Sequence, residues 1–335
     1  MEKILTIVVP SYNVEKFLNN TLDSFVCDDA TMEKLEVIVV DDGSKDSTAM
    51  IGKSYSDKYP GTFKVISKEN GGHGSTINCG IKNATGKYFK VVDGDDWVNT
   101  SDFVKFIALL EDCESDYIFT NYSEYYDDIN EEKKITYSDF ADGREFTSFS
   151  ELPEGFIISM HALTIKTSIL KNNNIQISEK CFYVDVEYIM YPVPFVNKIT
   201  FFDLYIYMYR LNLDTQSVSV VGFQKHINDH IRVTFNMIDF LNKYSSSAEC
   251  DLSKVAYIKN RAMLMILTQS SIYSSYPHSD KEKIKEFKQF DAEVKNKNAE
   301  LYELSSQNSK KLALLRKFDF KLYRLIQFLS AMSNR

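Results

Sequence analysis

The chain reads as an α/β protein, a mostly parallel sheet flanked by helices, followed by a helical C-terminal domain. Two observations predict the first part. Four β-branched or aromatic runs recur, ILTIVVPSYN (4–13), LEVIVVDDGSKDST (35–48), FKVISKENGGHGST (63–76) and GKYFKVVDGDD (86–96), each ending in polar, glycine-containing residues. Segments with helix-like spacing of apolar residues lie between them, the pattern of right-handed βαβ units. A third observation predicts the second part: after about residue 220 the strand-like runs give way to helical periodicity with few Gly or Pro.

Taken in order, the first run is a strand at once, and we expect no signal peptide ahead of it. Phe17, Leu18, Leu22, Phe25 and Val26 mark the first helix, Met50, Ile51, Ser54 and Tyr55 the second, and Ile77, Gly80 and Ile81 the third. The acidic stretch YSEYYDDINEE (122–132) reads as a solvated loop. We place the domain boundary between residues 1–220 and 221–335. Beyond it, Ile227, Ile231, Phe235, Ile238 and Leu241 form one apolar stripe and Val255, Ile258, Ala262, Met265 and Ile266 another, with connections at 243–253 and 273–282. His226 and His230 read as helix surface. Residues 310–331 place Leu314, Leu315, Phe318, Leu322, Leu325, Ile326 and Leu329 on one broad helical face beside six cations, a pattern suited to an anionic membrane surface or to a second copy of the chain.

Composition narrows the classes. At 335 residues with 44% hydrophobic content the chain can bury a large core, and it holds no apolar run approaching the roughly 18 residues of a membrane span. A net charge of −8 disfavours nucleic-acid partners. Cys27, Cys79, Cys113, Cys181 and Cys250 show no paired spacing, which fits a reducing cytoplasm and argues against a zinc site.

Ligands of open α/β sheets bind outside the carboxyl ends of the strands, so Pro10 to Asn13, Asp41 to Ser44, Lys68 to His73 and Asp93 to Asp96 should converge on one edge. That edge holds Tyr12, several carboxylates, Asn70, and the pair Gly71 and Gly72, which permits close backbone approach. VVDGDDW (91–97) is its densest part. Crowded carboxylates repel unless a cation sits between them, and Mg²⁺ or Mn²⁺ carrying a diphosphate suits hard oxygen ligands. An EF-hand fails, since counting from Asp93 its sixth and twelfth positions are Val98 and Val104. A solvated turn with Asp96 or Thr100 capping the next helix is the plain competitor. No GxGxxG follows the first strand and no GxxxxGK[ST] occurs, which removes the main support for dinucleotide dehydrogenases and P-loop NTPases.

PSYN, VVDDGSKDST, ENGGHGSTINCGI and VVDGDDW, in this order, resemble the family 2 glycosyltransferases of the GT-A fold, over about the first 220 residues. The resemblance implies an inverting, metal-dependent transferase that takes a nucleotide sugar, commonly a UDP-sugar, to an acceptor hydroxyl on a glycan, lipid-linked or protein acceptor. It implies that Pro10, Tyr12 and Asp41 hold the base and ribose, that Asp93 lies near the ribose or donor sugar, and that Asp95 binds the metal. Asn70 and His73 would close over the donor. The family's catalytic base is the Asp of a Glu-Asp pair opening a later helix; Asp185 in CFYVDVEYIMYP matches the Asp, but Val184 replaces the Glu, and Glu187 is a competing carboxylate. Arg210, in a YxYR segment, would neutralise phosphate charge, with Ser217 and Ser219 beyond it, unless it simply pairs with an acid on a surface strand. His161 falls on the acceptor side, where a structural, hydrogen-bonded imidazole is the competing role. Other classes remain: a catalytically inactive nucleotide- or carbohydrate-binding scaffold, favoured by Val184, and a sugar-phosphate nucleotidyltransferase, disfavoured because PSYNVE is no Gly-rich phosphate loop.

Overall fold

The computed structural model describes residues 3–137, 139–211 and 219–324. The chain divides into two compact units, Met1–Pro153 with Ile158–Gln216, and Glu154–Ile157 with Ser217–Arg335.

The first unit is built on one sheet of β1 (Leu5–Ser11), β2 (Leu35–Asp41), β3 (Phe63–Ser67), β4 (Tyr88–Val91), β5 (Trp97–Val98), β6 (Tyr117–Tyr126), β7 (Glu131–Ile135), β8 (Glu145–Phe146), β9 (Leu163–Lys166) and β10 (Ile199–Leu211). Its order is β3-β2-β1-β4-β9-β6-β10-β5, with β7 on β6 and β8 on β10. The four runs singled out in the sequence are the parallel half, β3-β2-β1-β4. Every residue of β1 and β2 is buried, and strands covered on both faces read as continuous apolar runs. The helices Leu18–Asp23, Thr48–Lys58 and His73–Asn83 lie where apolar spacing predicts them. Leu18, Leu22 and Phe25 join Ile7, Val9, Phe103 and Phe106 in one core, with the Phe25 and Phe103 rings 5.5 Å apart.

The other half is mixed. β9 runs antiparallel between β4 and β6, β10 is parallel to β6, and β5 closes the path antiparallel to β10. The acidic stretch expected to be a loop is here a hairpin, because Tyr122–Tyr126 pair with β10 on one side and with Glu131–Ile135 on the other. Its acids find partners on the ladder: Glu124 pairs with Lys133 across the strands and accepts from the Tyr126 hydroxyl at 2.9 Å, and Glu132 accepts from Ser123 Oγ at 2.7 Å.

The second unit contains the helices Ile227–Ser245, Leu252–Ser274, Lys281–Lys297, Ala299–Asn308 and Lys310–Lys317. Asp251, Asp280, Asn298 and Ser309 each cap a helix by accepting backbone N–H groups of the first turn. Two expectations are corrected. His230 is buried, not surface, and bonds Gln269 at 2.7 Å, whereas His226 pairs with Asp229 on the helix flank. The amphipathic helix expected over 310–331 ends at Lys317: Asp319 and Phe320 take left-handed φ values of 47° and 61°, and the Phe320 N–H bonds the Leu315 carbonyl. Arg316 is no surface cation, since it forms a buried ion pair with Asp291 at 2.8 Å. Leu314 and Phe318 are exposed, and Leu325, Ile326 and Leu329 lie outside the described residues. No described helix is long and apolar enough to cross a membrane.

Candidate active site

The parallel register brings the strand ends level, with Ser11 beside Asp41 and Asp41 beside Ser67. The loops that follow are laced together. Asn13, at a φ of 54°, donates its N–H to Ser44 Oγ at 3.0 Å and accepts from the Lys45 N–H at 2.9 Å. Buried Asp41 accepts from the Ser44 N–H at 3.0 Å, and exposed Tyr12 stands beside this pair of loops.

Asp42, expected on the strand edge with no role of its own, organises the third loop. Its carboxylate accepts the N–H groups of Gly71 and Gly72 at 2.9 and 2.7 Å and pairs with Lys68 at 2.7 Å, while its carbonyl takes the Asn70 side chain at 3.0 Å. Gly72 has a φ of 81°, a conformation costly for any other residue, and it opens the helix that carries His73. The doubled Asp of VVDDGS was the signal for this role.

The three acids after β4 have three fates. Asp96 is buried and accepts from the Tyr207 hydroxyl at 2.5 Å and the Arg210 N–H at 2.8 Å, so it latches β10 to the loop. Asp93 faces His73 Nε2 at 3.0 Å. Asp95 is partly buried, and burial followed by the charge of Asp93 pushes its carboxyl up to about 6. Arg210 is held between Phe17 and Trp97, 5.0 and 4.6 Å from the ring centres, donates Nε to the Asp95 carbonyl at 2.9 Å, and pairs with Asp127. The guanidinium therefore lies beside the acid loop while an acid holds it. Ser219 caps the helix Val220–Lys225 of the second unit; Ser217 lies outside the described residues.

Among the described residues no three His, Cys, Asp or Glu side chains gather as a complete metal-holding group. Magnesium-type ions take one or two protein carboxylates and complete their shell with phosphate and water, and Asp95, a partly exposed carboxylate repelled by its neighbour, has the donor chemistry for that.

His73 and Asp93 form an ion pair. Burial works against the imidazolium, but Asp93, helped by Asp185 and Asp95, outweighs it and raises the His73 pKa. For Asp93, burial again opposes the charge and His73 prevails, lowering its pKa. Both side chains are about a third exposed (32% and 27%), so solvent screens part of the attraction. With the His raised, the pair's contribution to stability is fully present below the ordinary 6.5 and is lost as pH rises through the folded value. With the Asp lowered, it is also lost as pH falls through a value below 3.8. The stability difference between the wild type and His73→Ala should shrink as pH rises through the raised imidazole value. Denaturant unfolding across that range checks it, and a difference independent of pH refutes the pair.

Asp185 is the first residue of the helix Asp185–Met190 and is partly exposed, and its charge reaches His73. Glu187 is fully buried and accepts the Ser178 N–H at 2.7 Å and its hydroxyl at 2.9 Å. The segment before the helix is stitched to the Gly-rich turn. The Lys180 N–H donates to the Gly71 carbonyl at 2.6 Å, and a Cβ on Gly74 would stand 2.1 Å from the Ser178 carbonyl. Buried Val184 takes the place of the family's Glu.

His161 stacks on Tyr209 at 4.0 Å, meets Tyr207 edge-on at 4.8 Å, and bonds Ser159 at 2.9 Å. Burial, with Lys90 adding to it and Asp93 opposing, pushes its pKa down to about 4, so the imidazole is neutral at pH 7. Lys90, unremarked in an apolar run, is wholly buried beneath Tyr207 and donates to the carbonyls of His161 and Leu163 at 2.7 and 3.1 Å.

A mixed sheet of this order, with acids clustered at the end of its fourth strand, has the GT-A architecture. Residues 6–172 match the family described as Glycosyl transferase family 2, and the chain belongs to that family. EpsJ, an uncharacterized glycosyltransferase of Bacillus subtilis, is 25% identical over 301 residues, covering 87% of this chain and 85% of its own. GgaB, a minor teichoic acid biosynthesis protein of the same organism, is 33% identical over 107 residues, 32% of this chain but only 12% of that longer protein. Among solved structures, S. aureus TarS 1-349 in complex with UDP-GlcNAc superposes with a TM-score of 0.71 at 19% identity, covering 98% of this chain and 92% of that one. At this identity the likeness is one of fold.

Proposed function

We propose that the protein is an inverting, metal-assisted glycosyltransferase that moves a sugar from a UDP-sugar to a hydroxyl of a surface polysaccharide or teichoic-type polymer. The observation that carries this reading is the placement of two acids on one helix: Glu187 is buried and accepts both donors of Ser178, while Asp185 is partly exposed and near enough for its charge to act on His73, the partner of Asp93. The carboxylate of Asp185 takes the proton of the acceptor hydroxyl as its oxygen attacks C1. The bond from C1 to the diphosphate oxygen breaks on the opposite face, and UDP departs with the electron pair. Asp95 would hold Mn²⁺ or Mg²⁺, which when bound supplies positive charge to the leaving diphosphate. Asp93 and His73 border the donor sugar, Asn70 keeps its loop closed on Asp42, and Arg210 adds charge near the phosphates. His161, neutral and stacked, shapes the wall on the acceptor side.

Pro10, Tyr12 and Asp41 form the base-binding corner, where a ring can stack on uracil and a carboxylate can accept its imide N–H. Support for uridine comes also from the UDP-GlcNAc bound by TarS, and the teichoic acid role named for GgaB supports the polymer class. Leu314 and Phe318, with Lys310, Lys311 and Lys317 near them in sequence, are the described residues suited to an anionic membrane surface or a second copy of the chain. A panel of nucleotide sugars with Mn²⁺ tests the reading: one UDP-sugar should turn over, and calorimetry should find UDP binding more tightly than GDP. Tighter GDP binding refutes the uridine assignment, and absence of turnover with every donor refutes the transferase.

A further inference from the structure

We propose that Tyr183, with Phe182 beside it, is the platform on which a pyranose ring of the acceptor stacks next to Asp185. The proposal rests on the reading of Asp185 as the base. Tyr183 has a φ of 64° and Lys180, three residues earlier, a φ of 50°. The left-handed region is open to Gly and tolerable for Asn, but a bulky aromatic residue is an outlier there and persists only where its surroundings over-determine it. Those surroundings are present. The segment is clamped by Lys180 on Gly71, by Ser178 against Gly74 and on Glu187, and by Asn78, which bonds both backbone groups of Ile177 at 2.9 Å.

The result of the strained turn is an arrangement of side chains. Cys181 points inward at 3% exposure, Phe182 outward at 43%, and Tyr183 lies between, partly buried, with the two rings 6.3 Å apart and tilted by 53°. Sugars offer a face of C–H bonds to aromatic rings; Phe182 supplies the exposed ring and the partly buried Tyr183 beside it the rigid one, which binds with little loss of conformational freedom. The ligand is assigned to the acceptor and not the donor by position. A base removes the acceptor's proton, so side chains adjoining Asp185 border the acceptor hydroxyl, whereas the loops after β1, β2 and β4 form the donor side.

The test uses the full chain saturated with UDP, methyl β-glucopyranoside and methyl N-acetyl-β-glucosaminide as probes, and saturation-transfer NMR, with transfer kinetics wherever a donor turns over. Tyr183→Ala and Tyr183→Gly should both weaken pyranoside binding or raise the acceptor KM by about ten-fold, the value of one aromatic stack, while UDP affinity is held. Tyr183→Phe should restore binding. Gly relieves the backbone and Ala does not, so Tyr183→Gly should unfold at higher temperature than Tyr183→Ala with the same loss of pyranoside binding. A purely structural Tyr183 would make binding follow stability, with Gly recovering what Ala loses, and that result overturns the platform. Wild-type protein that binds neither pyranoside overturns it as well. Pyranoside binding that depends on Tyr183 in a protein that turns over no nucleotide sugar sinks the transferase reading and leaves a carbohydrate site standing.

Discussion

Replacing Asp185 by alanine lowers glycosyl transfer by about 10²-fold or more, the scale of a lost general base, with UDP affinity nearly unchanged. The side chain is partly exposed at the start of its helix, so its removal leaves the core intact. Glu187→Ala gives the opposite profile. It takes from the partly buried Ser178 N–H and hydroxyl their acceptor and costs about 2 kcal/mol of stability, and any loss of activity follows loss of folded protein. Rates at fixed folded fraction, alongside urea unfolding of both variants, separate the two. Full transfer by Asp185→Ala, with activity lost in folded Glu187→Ala, would mean that the wrong carboxylate is assigned.

Asp95→Asn abolishes metal-dependent turnover, because asparagine keeps the size of the side chain and loses the charge that attracts a divalent cation. The same substitution has an effect that needs no substrate. The Asp95 carboxyl is raised from 3.8 to about 6 by burial and by Asp93, so between those values the folded state binds more protons than the unfolded one and stability falls as pH rises. Above about pH 6 the ionised carboxylate therefore works against folding. Metal-free Asp95→Asn should melt at a higher temperature than metal-free wild type at pH 7.5, and Mn²⁺ should stabilise the wild type alone. Undiminished wild-type activity in EDTA, or an Asn variant stabilised by Mn²⁺ as strongly as the wild type, removes Asp95 as the metal ligand.

The parallel half of the sheet and the ordering of its loops are legible in the residues. A strand buried on both faces is apolar except where its polar groups pair, as IVV and VIVV are, with Thr6 donating to Glu36 at 2.6 Å, and the polar residues that end such strands must gather on one edge. Helix ends in the second unit are equally local, since Asp251, Asp280 and Ser309 cap through bonds to residues two or three positions away. The strands from β5 to β10 were harder to read. β9 and β5 are too short to show a period, and the acidic hairpin carries the composition of a loop.

By itself the sequence determined which residue types line the strand edge, the family they belong to, and that carboxylates dominate the site. Tertiary structure decided what each carboxylate does. Asp93, Asp95 and Asp96 look interchangeable in VVDGDDW, yet one meets His73, one is left partly exposed, and one is buried on Tyr207 and Arg210. Asp41 and Asp42 are adjacent, yet Asp42 alone holds the Gly71–Gly72 turn. Asp185 and Glu187 are two residues apart, and Ser178 claims Glu187. The partners of Asp42, Asp93 and Asp96 lie 20 or more residues distant, and Glu187 meets Ser178 only because a folded loop turns back on the helix. A carboxylate's role is set by whichever donor the packed chain brings within about 3 Å, and that proximity exists only once the strands and the loop at 177–184 are in place.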